Sequence, residues 1–593
     1  MIALDIESGS GPRRVDLLAY LEPAEEERAQ DDAYAWIKAV RHARIDGEPF
    51  RARFTMRGDS LWWFAELYLH KEQAILTVLR ALAAFETLVE RERPLAVACQ
   101  EGPYAGVIAH AARIRTVRYA GPDWSRSARG LIRMEARASA LAAGARLSRV
   151  RLRPAPGERA RIAAFVHRAF WRSGAGDGGA ESYIGPVLRA LEARVTQSAV
   201  KYVGVGPRSN FRARRWWDAI AADDANGIVP IERYAPAAAL SASRAVYRDR
   251  HRMRRLMWES ADLRAHAVIR GCDCWPLVRH QLAGIALLQF PWSARAMDEA
   301  AAALDVLQPD AAVTYAEAGG WGRAIALECR RRRIPLAGLQ HGFIYRHWLN
   351  YRHEPDETES DGPDAGFPFP AATLLFDDRT AAYLAAAGRF PAATLQVTGS
   401  ARLDEMHAAI AALRPEDIAS ARHQAGADRD RALLLFVAKE REARRSLPAL
   451  VAAVREMPDV QMAIKPHPAE TPEVYADAVS GAPNVVVLPA AAPLPPLLAA
   501  ARAVVTVNST VAVDALTLGM PALVVGLPNN LTPFVEAGLM AGASSADEIR
   551  PALARVLYDQ EFRSRIERSR NIERGGSAAA RSAAAIVRLT GAT

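Results

Sequence analysis

The chain has 593 residues, of which 50% are hydrophobic, 24% charged and 7% aromatic, a globular composition that excludes wholesale disorder and fibrous repeats. Its formal net charge is +9, and the whole excess lies in residues 1–370, because residues 371–593 hold 23 Lys+Arg against 23 Asp+Glu. Four cysteines (Cys99, Cys272, Cys274, Cys329) are too few for a disulfide framework, and Cys272-Asp-Cys274 has no second pair for a zinc site, so reduced thiols are expected.

The first residues, MIALDIESGSGPRR, lack the apolar stretch of a signal peptide, and none is expected. Pro94-LAVACQEGPYAGVIAHAARIR reads as a strand, an acidic turn holding Glu101, and a helix. From about 125 to 200 the chain is Arg-rich and helical in pattern, an insertion followed by a strand at Tyr202–Val205 and another helix. Pro309-DAAVTYAEAGGWGRAIALECRRRRIP repeats the strand–turn–helix order of the Pro94 segment. Its turn again carries a glutamate, Glu317, and Gly319 and Gly320 open it into the helix that holds Arg323. A carboxylate at a strand end has the chemistry of a general base; complementing a helix N-terminus accounts for it equally.

The next strand, Leu336–Gln340, ends in Gln340-His341-Gly342, where the glycine permits positive φ or close approach of a ligand and His341 would face a cleft. His341, His347 and His353 are six residues apart, which does not align them on a helix face, and no HExxH occurs, so no metal site is read. Residues 354–370 (EPDETESDGPDAGFPFP) are acidic, Pro/Gly-rich and aperiodic, a linker signal where the charge balance also changes. The expected domains are therefore 1–370 and 371–593.

In the second half, strand runs at Ala372–Phe376, Leu395–Thr398, Ala432–Val437, Val460–Lys465, Val485–Leu488, Ala503–Val507 and Ala522–Val525 alternate with helical stretches. That alternation predicts βαβ units and a doubly wound parallel sheet. The tail from Ala546 to about Leu589 reads as helical. The predicted fold class is α/β, two Rossmann-like parallel-sheet domains facing a cleft, with ligands at the strand C-terminal edges.

Several strand ends in this half carry polar residues. Gly399 and Ser400, with Arg402, form a loop placed to shape a nucleotide pocket. Only five of the 76 basic residues are lysine, and two of them, Lys439 and Lys465, follow strands of this edge. Lys465-Pro-His467-Pro468 holds a cation and an imidazole between two prolines, which suits a phosphate; a rigid turn with a solvated lysine is the plainer account. The longest uncharged stretch, Leu488–Ala501, is broken by four prolines and predicts no membrane span. In Thr506-Val-Asn508-Ser509-Thr510-Val-Ala-Val-Asp514 the three middle polar residues are N-cap types beside freed amides, a phosphate-binding arrangement, and Asp514 lies about one turn on, within reach of a ribose hydroxyl. Helix capping alone explains the same residues. The glycines of these strand-end turns do not form GxGxxG, and no GxxxxGKS/T occurs, so dehydrogenase and P-loop readings are weak.

Taken together, LQHGF at 339–343, VTGSARLD at 397–404, IKPHP at 464–468 and VNSTVAVDALTLGMPALVV at 507–525 resemble the GT-B superfamily of glycosyltransferases. The resemblance covers about 300–590 and is nearest to bacterial capsule and surface-polysaccharide enzymes: Kdo and sialic-acid transferases that use CMP-sugars, and CDP-glycerol glycerophosphotransferases. It implies that His467-Pro468 and Ser509-Thr510 bind the donor nucleotide and its phosphate. It implies that the nearest counterpart of the base-supplying acidic-acidic-Gly motif is Ala316-Glu317-Ala318-Gly319, which lacks the paired acid and the adjacent glycine. Where retaining GT-B enzymes use a glutamate this chain has Asp514, one carbon shorter.

The function so implied is metal-independent transfer of a sugar or polyol phosphate from a CMP-, CDP- or UDP-linked donor to a surface-polysaccharide or lipid-linked acceptor, with Glu317 or His341 taking the acceptor proton. No cofactor and no nucleic-acid partner are expected. The location expected is the cytoplasm, peripheral to the inner face of the plasma membrane. The basic first half fits an anionic acceptor or membrane surface, and a solvated Arg-rich surface explains it as well. Two other functions share the architecture: a sugar-nucleotide 2-epimerase, which needs no acceptor surface, and a non-catalytic carbohydrate-assembly protein.

Overall fold

The computed structural model describes residues 2–9, 11–99, 102, 104–122, 128–152, 154–155, 157–173, 179–196, 199–207, 227–315, 317–359, 364–428, 430–468, 470–568 and 577–591. The chain divides into two compact units. Unit 1 comprises residues 1–341, 347–398 and 582–593; unit 2 comprises residues 342–346 and 399–581.

Unit 1 opens with a four-stranded, mostly antiparallel sheet in the order Gly11–Asp16, Ala3–Ser8, Ala96–Ala98, Arg118–Tyr119. The segment beginning at Pro94 does form a βαβ unit, with helix Ala105–Ile114 joining the parallel pair Ala96–Ala98 and Arg118–Tyr119. It lies in a different sheet from the similar segment at 309–339. Helix Ala74–Glu92 buries Ile75, Val78, Leu79, Leu82, Phe85 and Leu88, apolar residues at helical spacing that give it one inward face.

The larger sheet of unit 1 has seven parallel strands: β1 (Ile162–His167), β2 (Val200–Val205), β3 (Ile228–Pro230), β4 (Ala311–Tyr315), β5 (Leu336–Leu339), β6 (Ala372–Leu375) and β7 (Leu395–Val397). Their order is β3-β2-β1-β4-β5-β6-β7, a doubly wound sheet whose strand order reverses between β1 and β4. Both faces of β4 are buried, so the strand is a continuous apolar run without alternation. This unit also carries two long Arg-rich helices, α1 (Ala128–Arg151) and α2 (Ser241–Glu259).

Unit 2 holds six parallel strands: β8 (Ala432–Phe436), β9 (Val460–Ile464), β10 (Val485–Val487), β11 (Ala503–Thr506), β12 (Ala522–Val525) and β13 (Ala541–Ala543). The order β10-β9-β8-β11-β12-β13 is again doubly wound, reversing between β8 and β11.

Three expectations are corrected. The division falls at Thr398/Gly399, not at 370/371, because β6 and β7 pair with β5 in unit 1. The acidic segment around 354–370 is no solvated linker: Glu357 is buried on Lys38, with its carboxylate 2.7 Å from Nζ, and Asp364 is buried on Arg51 at 2.7 Å. Glu354, Asp356, Glu357 and Asp364 are partnered by Tyr34, Arg41, Lys38 and Arg51 from the start of the chain, which ties this aperiodic stretch down. The region 125–200 is not a wholly helical insertion either, since α1 ends at Arg151 and β1 is a central strand of the sheet. The last helix, Ala578–Leu589, crosses the division, and its residues from Ser582 onward belong to unit 1.

Candidate functional site

In an open α/β sheet the crevice beyond the strand C-termini at the reversal point is where a ligand fits. In unit 2 that point lies between β8 and β11. The Thr506 hydroxyl bonds the Val437 carbonyl and joins the two strand ends. Thr506 Oγ1 also accepts from Ser509 N at 3.0 Å, and Ser509 Oγ accepts from Val511 N at 3.3 Å. Asn508 Oδ1 accepts from Asn530 N at 3.1 Å. Asn508 and Ser509 are half-buried and Thr510 is exposed, at the entry of the short helix Val511–Thr517.

Lys439 follows β8 and Lys465 follows β9. The Lys465 ammonium is buried, donating to Ala490 O at 3.2 Å and Pro466 O at 3.4 Å, and burial lowers its pKa. His467 is half-buried; desolvation, and then the nearby charges of Lys439, Lys465 and Arg441, push its pKa down. The carboxylate of Glu470 opposes them. Glu470 holds the loops that carry them, accepting from Glu440 N at 3.0 Å, His467 N at 3.3 Å and the Tyr475 hydroxyl at 3.0 Å. Glu470, Tyr475 and Arg441 escaped sequence reading; they belong to no short motif, and only the fold brings Glu470 and Tyr475 beside the Lys439–Arg441 segment.

Unit 1 has its own reversal point between β1 and β4. There His167 N donates to the Tyr315 hydroxyl at 3.1 Å, across the two strand ends. The rings of Tyr183 and His341 close around Tyr315, at 6.3 and 5.3 Å between centroids. Glu181 lies beside them, buried, with one oxygen accepting from Tyr183 N at 2.6 Å and from Ile184 N at 2.5 Å. Its other oxygen, Oε1, is buried without a partner. Burial raises the Glu181 pKa to about 7, and burial lowers His167 and His341 each to about 4. Glu181, His167 and Tyr183 were missed because their segment reads as helical and Arg-rich.

Glu317 lies in the same unit, buried against Gly338, where an added Cβ would meet its Cγ at 2.8 Å. Tyr351 donates to its carboxylate, Oε2 is buried and unpartnered, and burial raises its pKa to about 7. His341 carries an unpartnered Nδ1.

The remaining expected residues serve the fold. Arg323 is fully buried rather than in a cleft, donating to Ala318 O at 2.9 Å and Asn350 O at 3.2 Å and pairing with Glu66. Gln340 accepts from Phe376 N at 2.8 Å and ties β5 to the end of β6. Gly319 precedes helix Gly320–Arg332, and Gly320 packs on Trp292, whose ring an added Cβ would meet at 2.8 Å. Gly342 has no positive φ, and an added Cβ there would meet nothing within 4 Å. Gly399 does have positive φ, 86°, and Ser400 caps helix Ala401–Ala411 by accepting from Leu403 N at 3.4 Å. Asp514 is buried and paired with Arg402, which removes it from a ribose-binding position, although its Oδ2 is unpartnered. Glu101 lies outside the described residues.

Among the described residues no helix is long and apolar enough to cross a membrane, and no group of three or more His, Cys, Asp or Glu is arranged to hold a metal ion. No curated protein matches the chain. Among solved structures it is similar to the UDP-GlcNAc 2-epimerase of Neisseria meningitidis bound to UDP-GlcNAc, at 14% identity and TM-score 0.42 over 72% of this chain and 98% of that one. It is similar to MurG of Acinetobacter baumannii, at 12% identity and TM-score 0.40 over 72% and 99%, and to the calicheamicin glycosyltransferase CalG4, at 17% identity and TM-score 0.39 over 73% and 99%. At these values the likenesses say nothing about individual residues. Residues 429–538 match the family described as capsule polysaccharide biosynthesis protein. That match runs from just before β8 to beyond β12 and includes Lys439, Lys465, His467 and the 506–514 turn.

Proposed function

We propose that the protein is a glycosyltransferase that moves a sugar or polyol phosphate from a nucleotide-activated donor to a surface-polysaccharide or lipid-linked glycan acceptor. The observation that carries this reading is the placement of Lys439, Lys465 and His467 just beyond the C-terminal ends of β8 and β9, beside the reversal point of a doubly wound sheet. Such a crevice favours the diphosphate or phosphate of a nucleotide, and charge-assisted hydrogen bonds there stabilise the negative charge that grows on the leaving group. Ser509 and Thr510 present hydroxyls from the neighbouring strand end, and Asn508 and Asn530 shape its floor. The acceptor hydroxyl gives its proton to Glu317, whose pKa near 7 suits a base at neutral pH and whose Oε2 has no partner to lose. His341 is a weaker proton acceptor, since its pKa of about 4 leaves it neutral but feebly basic.

The donor assignment is tested by thermal unfolding with CMP, CDP, UDP and GDP. A nucleotide that binds only the folded state raises the midpoint. One of the four is expected to do so, and His467→Ala to weaken the effect. No response to any of them at millimolar concentration overturns the assignment.

A further inference from the structure

We infer that the paired helices α1 and α2 form a docking face for an anionic lipid bilayer. The two helices lie side by side and antiparallel: Glu135 of α1 pairs with Arg250 of α2 and lies 3.5 Å from His251, and one turn on the Tyr247 hydroxyl meets Ser139 at 3.4 Å. α2 turns Ser243, Val246, Met253 and Met257 inward, and α1 turns Ala138 inward. The opposite sides of both helices therefore look outward together.

The two helices are unusual in charge, although Arg149 of α1 is buried against Glu299 and takes no part in the outward face. α1 contains six arginines and one glutamate; α2 contains six arginines, one aspartate and one glutamate. Their combined net charge equals the +9 of the entire chain, gathered on 43 residues. Two of the three acids are spent locally, Glu135 between the helices and Asp249 on Arg252 at 3.5 Å. Arg129, Arg133, Arg137 and Arg146 stand exposed on α1.

Charge alone would suit any polyanion. The apolar residues decide between them. Ile132 is 68% exposed and Leu147 52% exposed, and helical spacing puts them on the same outward side, separated by the small residues Ala136 and Ala143. Apolar side chains flanked by arginines are the make-up of a helix that lies in a lipid–water interface, where the chains enter the acyl boundary and the guanidinium groups meet headgroup phosphates. A soluble polysaccharide or a nucleic-acid backbone would gain nothing from Ile132 or Leu147. At the end of α2, a concavity of about 410 Å³ is lined by His251, Arg252, Arg254, Arg255, Trp258 and Glu259. Its indole is stacked by Arg254 and Arg279 at 4.8 and 4.7 Å, an amphipathic ring held among cations.

This docking does not depend on the proposed transfer reaction and is read without turnover. Full-length protein is sedimented with vesicles of pure phosphatidylglycerol or pure phosphatidylcholine. Association with the first and not the second is expected. The combined change Arg129→Gln, Arg133→Gln and Arg137→Gln lowers partition by about a hundredfold, at about fivefold per arginine near a charged surface. Arg248→Gln with Arg255→Gln provides the same check from α2. Ile132→Ser with Leu147→Ser weakens binding most at high salt, where the electrostatic share is screened. Equal association with both vesicles, association with neither, or partition unmoved by the arginine changes overturns the proposal. Retention on heparin with no effect of the Ile132 and Leu147 changes overturns it in favour of a soluble polyanion.

Discussion

Units 1 and 2 wind their parallel sheets with the same reversal, and in both units a side chain or amide joins the two strand ends there, yet the two crevices differ in chemistry. In unit 2 the strand ends deliver cations, and His467 is pushed below its ordinary pKa partly by their charge. In unit 1 they deliver Tyr315, Tyr183 and two imidazoles lowered to about 4 by burial, beside a carboxyl raised to about 7. The cations of the first crevice suit the negative charge of the proposed donor. The other crevice holds its imidazoles neutral at pH 7 and its carboxyl about half-protonated, which suits the proton handling proposed for this unit. The same topology thus carries two sets of chemical groups, and the difference lies in the residues just beyond each strand end.

The largest effect expected from breaking this contrast is on turnover. Glu317→Gln and Glu181→Gln keep shape and remove the proton acceptor. The carboxyl that accepts the proton loses about 10²–10⁴ in kcat when changed. Neither change alters the nucleotide-induced rise in unfolding midpoint, because both residues belong to unit 1. A fall in nucleotide response would break the division of tasks. A large loss of kcat in Glu181→Gln alone would move the proton to the reversal point of unit 1 and away from Glu317.

Next in size is a change of stability that separates fold from site. Arg323 is fully buried with Glu66, and Lys38 bridges Glu66 and Glu357 at 2.6 and 2.7 Å. Arg323→Met breaks a buried pair and is expected to cost about 3–5 kcal/mol. The lowered unfolding midpoint should come without a change of KM for the donor in whatever folded protein remains. A KM effect would return Arg323 to the site.

Smaller is the loss at the cationic crevice. Lys465→Ala removes a charged donor and is expected to cost about 1.5–3 kcal/mol of nucleotide binding, roughly tenfold to a hundredfold in affinity. Titration of the midpoint shift against nucleotide concentration measures it. An equal loss on changing Lys71, a lysine of unit 1, would mean a diffuse charge effect rather than a contact.

These residues also show how far the sequence could be read. The parallel strands were legible because strands buried on both faces are unbroken apolar runs, as in β4 and β8. Lys465, His467 and Ser509 were legible because prolines and small polar residues mark a strand end at once. The domain division was not, because the acids near 354–370 look solvated until Lys38, Arg41 and Arg51 are seen beside them, more than 300 residues earlier in the chain. Arg323 was misplaced for the same reason, its partner Glu66 being 257 residues away. Glu181 was missed because a short hairpin inside an Arg-rich region carries no pattern of its own.

The smallest expected effect is on the pH dependence of stability, and it has opposite signs for two neighbours in unit 1. His341 has its pKa lowered to about 4 in the folded protein, against about 6.5 when unfolded. Between those values the unfolded chain binds the extra proton, so His341 makes folding less stable as pH falls from about 6.5 toward 4. Glu181 is raised to about 7 against about 4.3 when unfolded. In that window the folded protein holds the extra proton, so its contribution is full below the unfolded value and is lost as pH rises through 7. Unfolding midpoints at pH 7 and pH 5 therefore separate them. His341→Gln shrinks the loss of stability on acidification, and Glu181→Gln enlarges it. Shifts of the same sign in both variants would mean that the groups around Tyr315 are not held neutral by burial, and the contrast between the two crevices would rest on the cations of unit 2 alone.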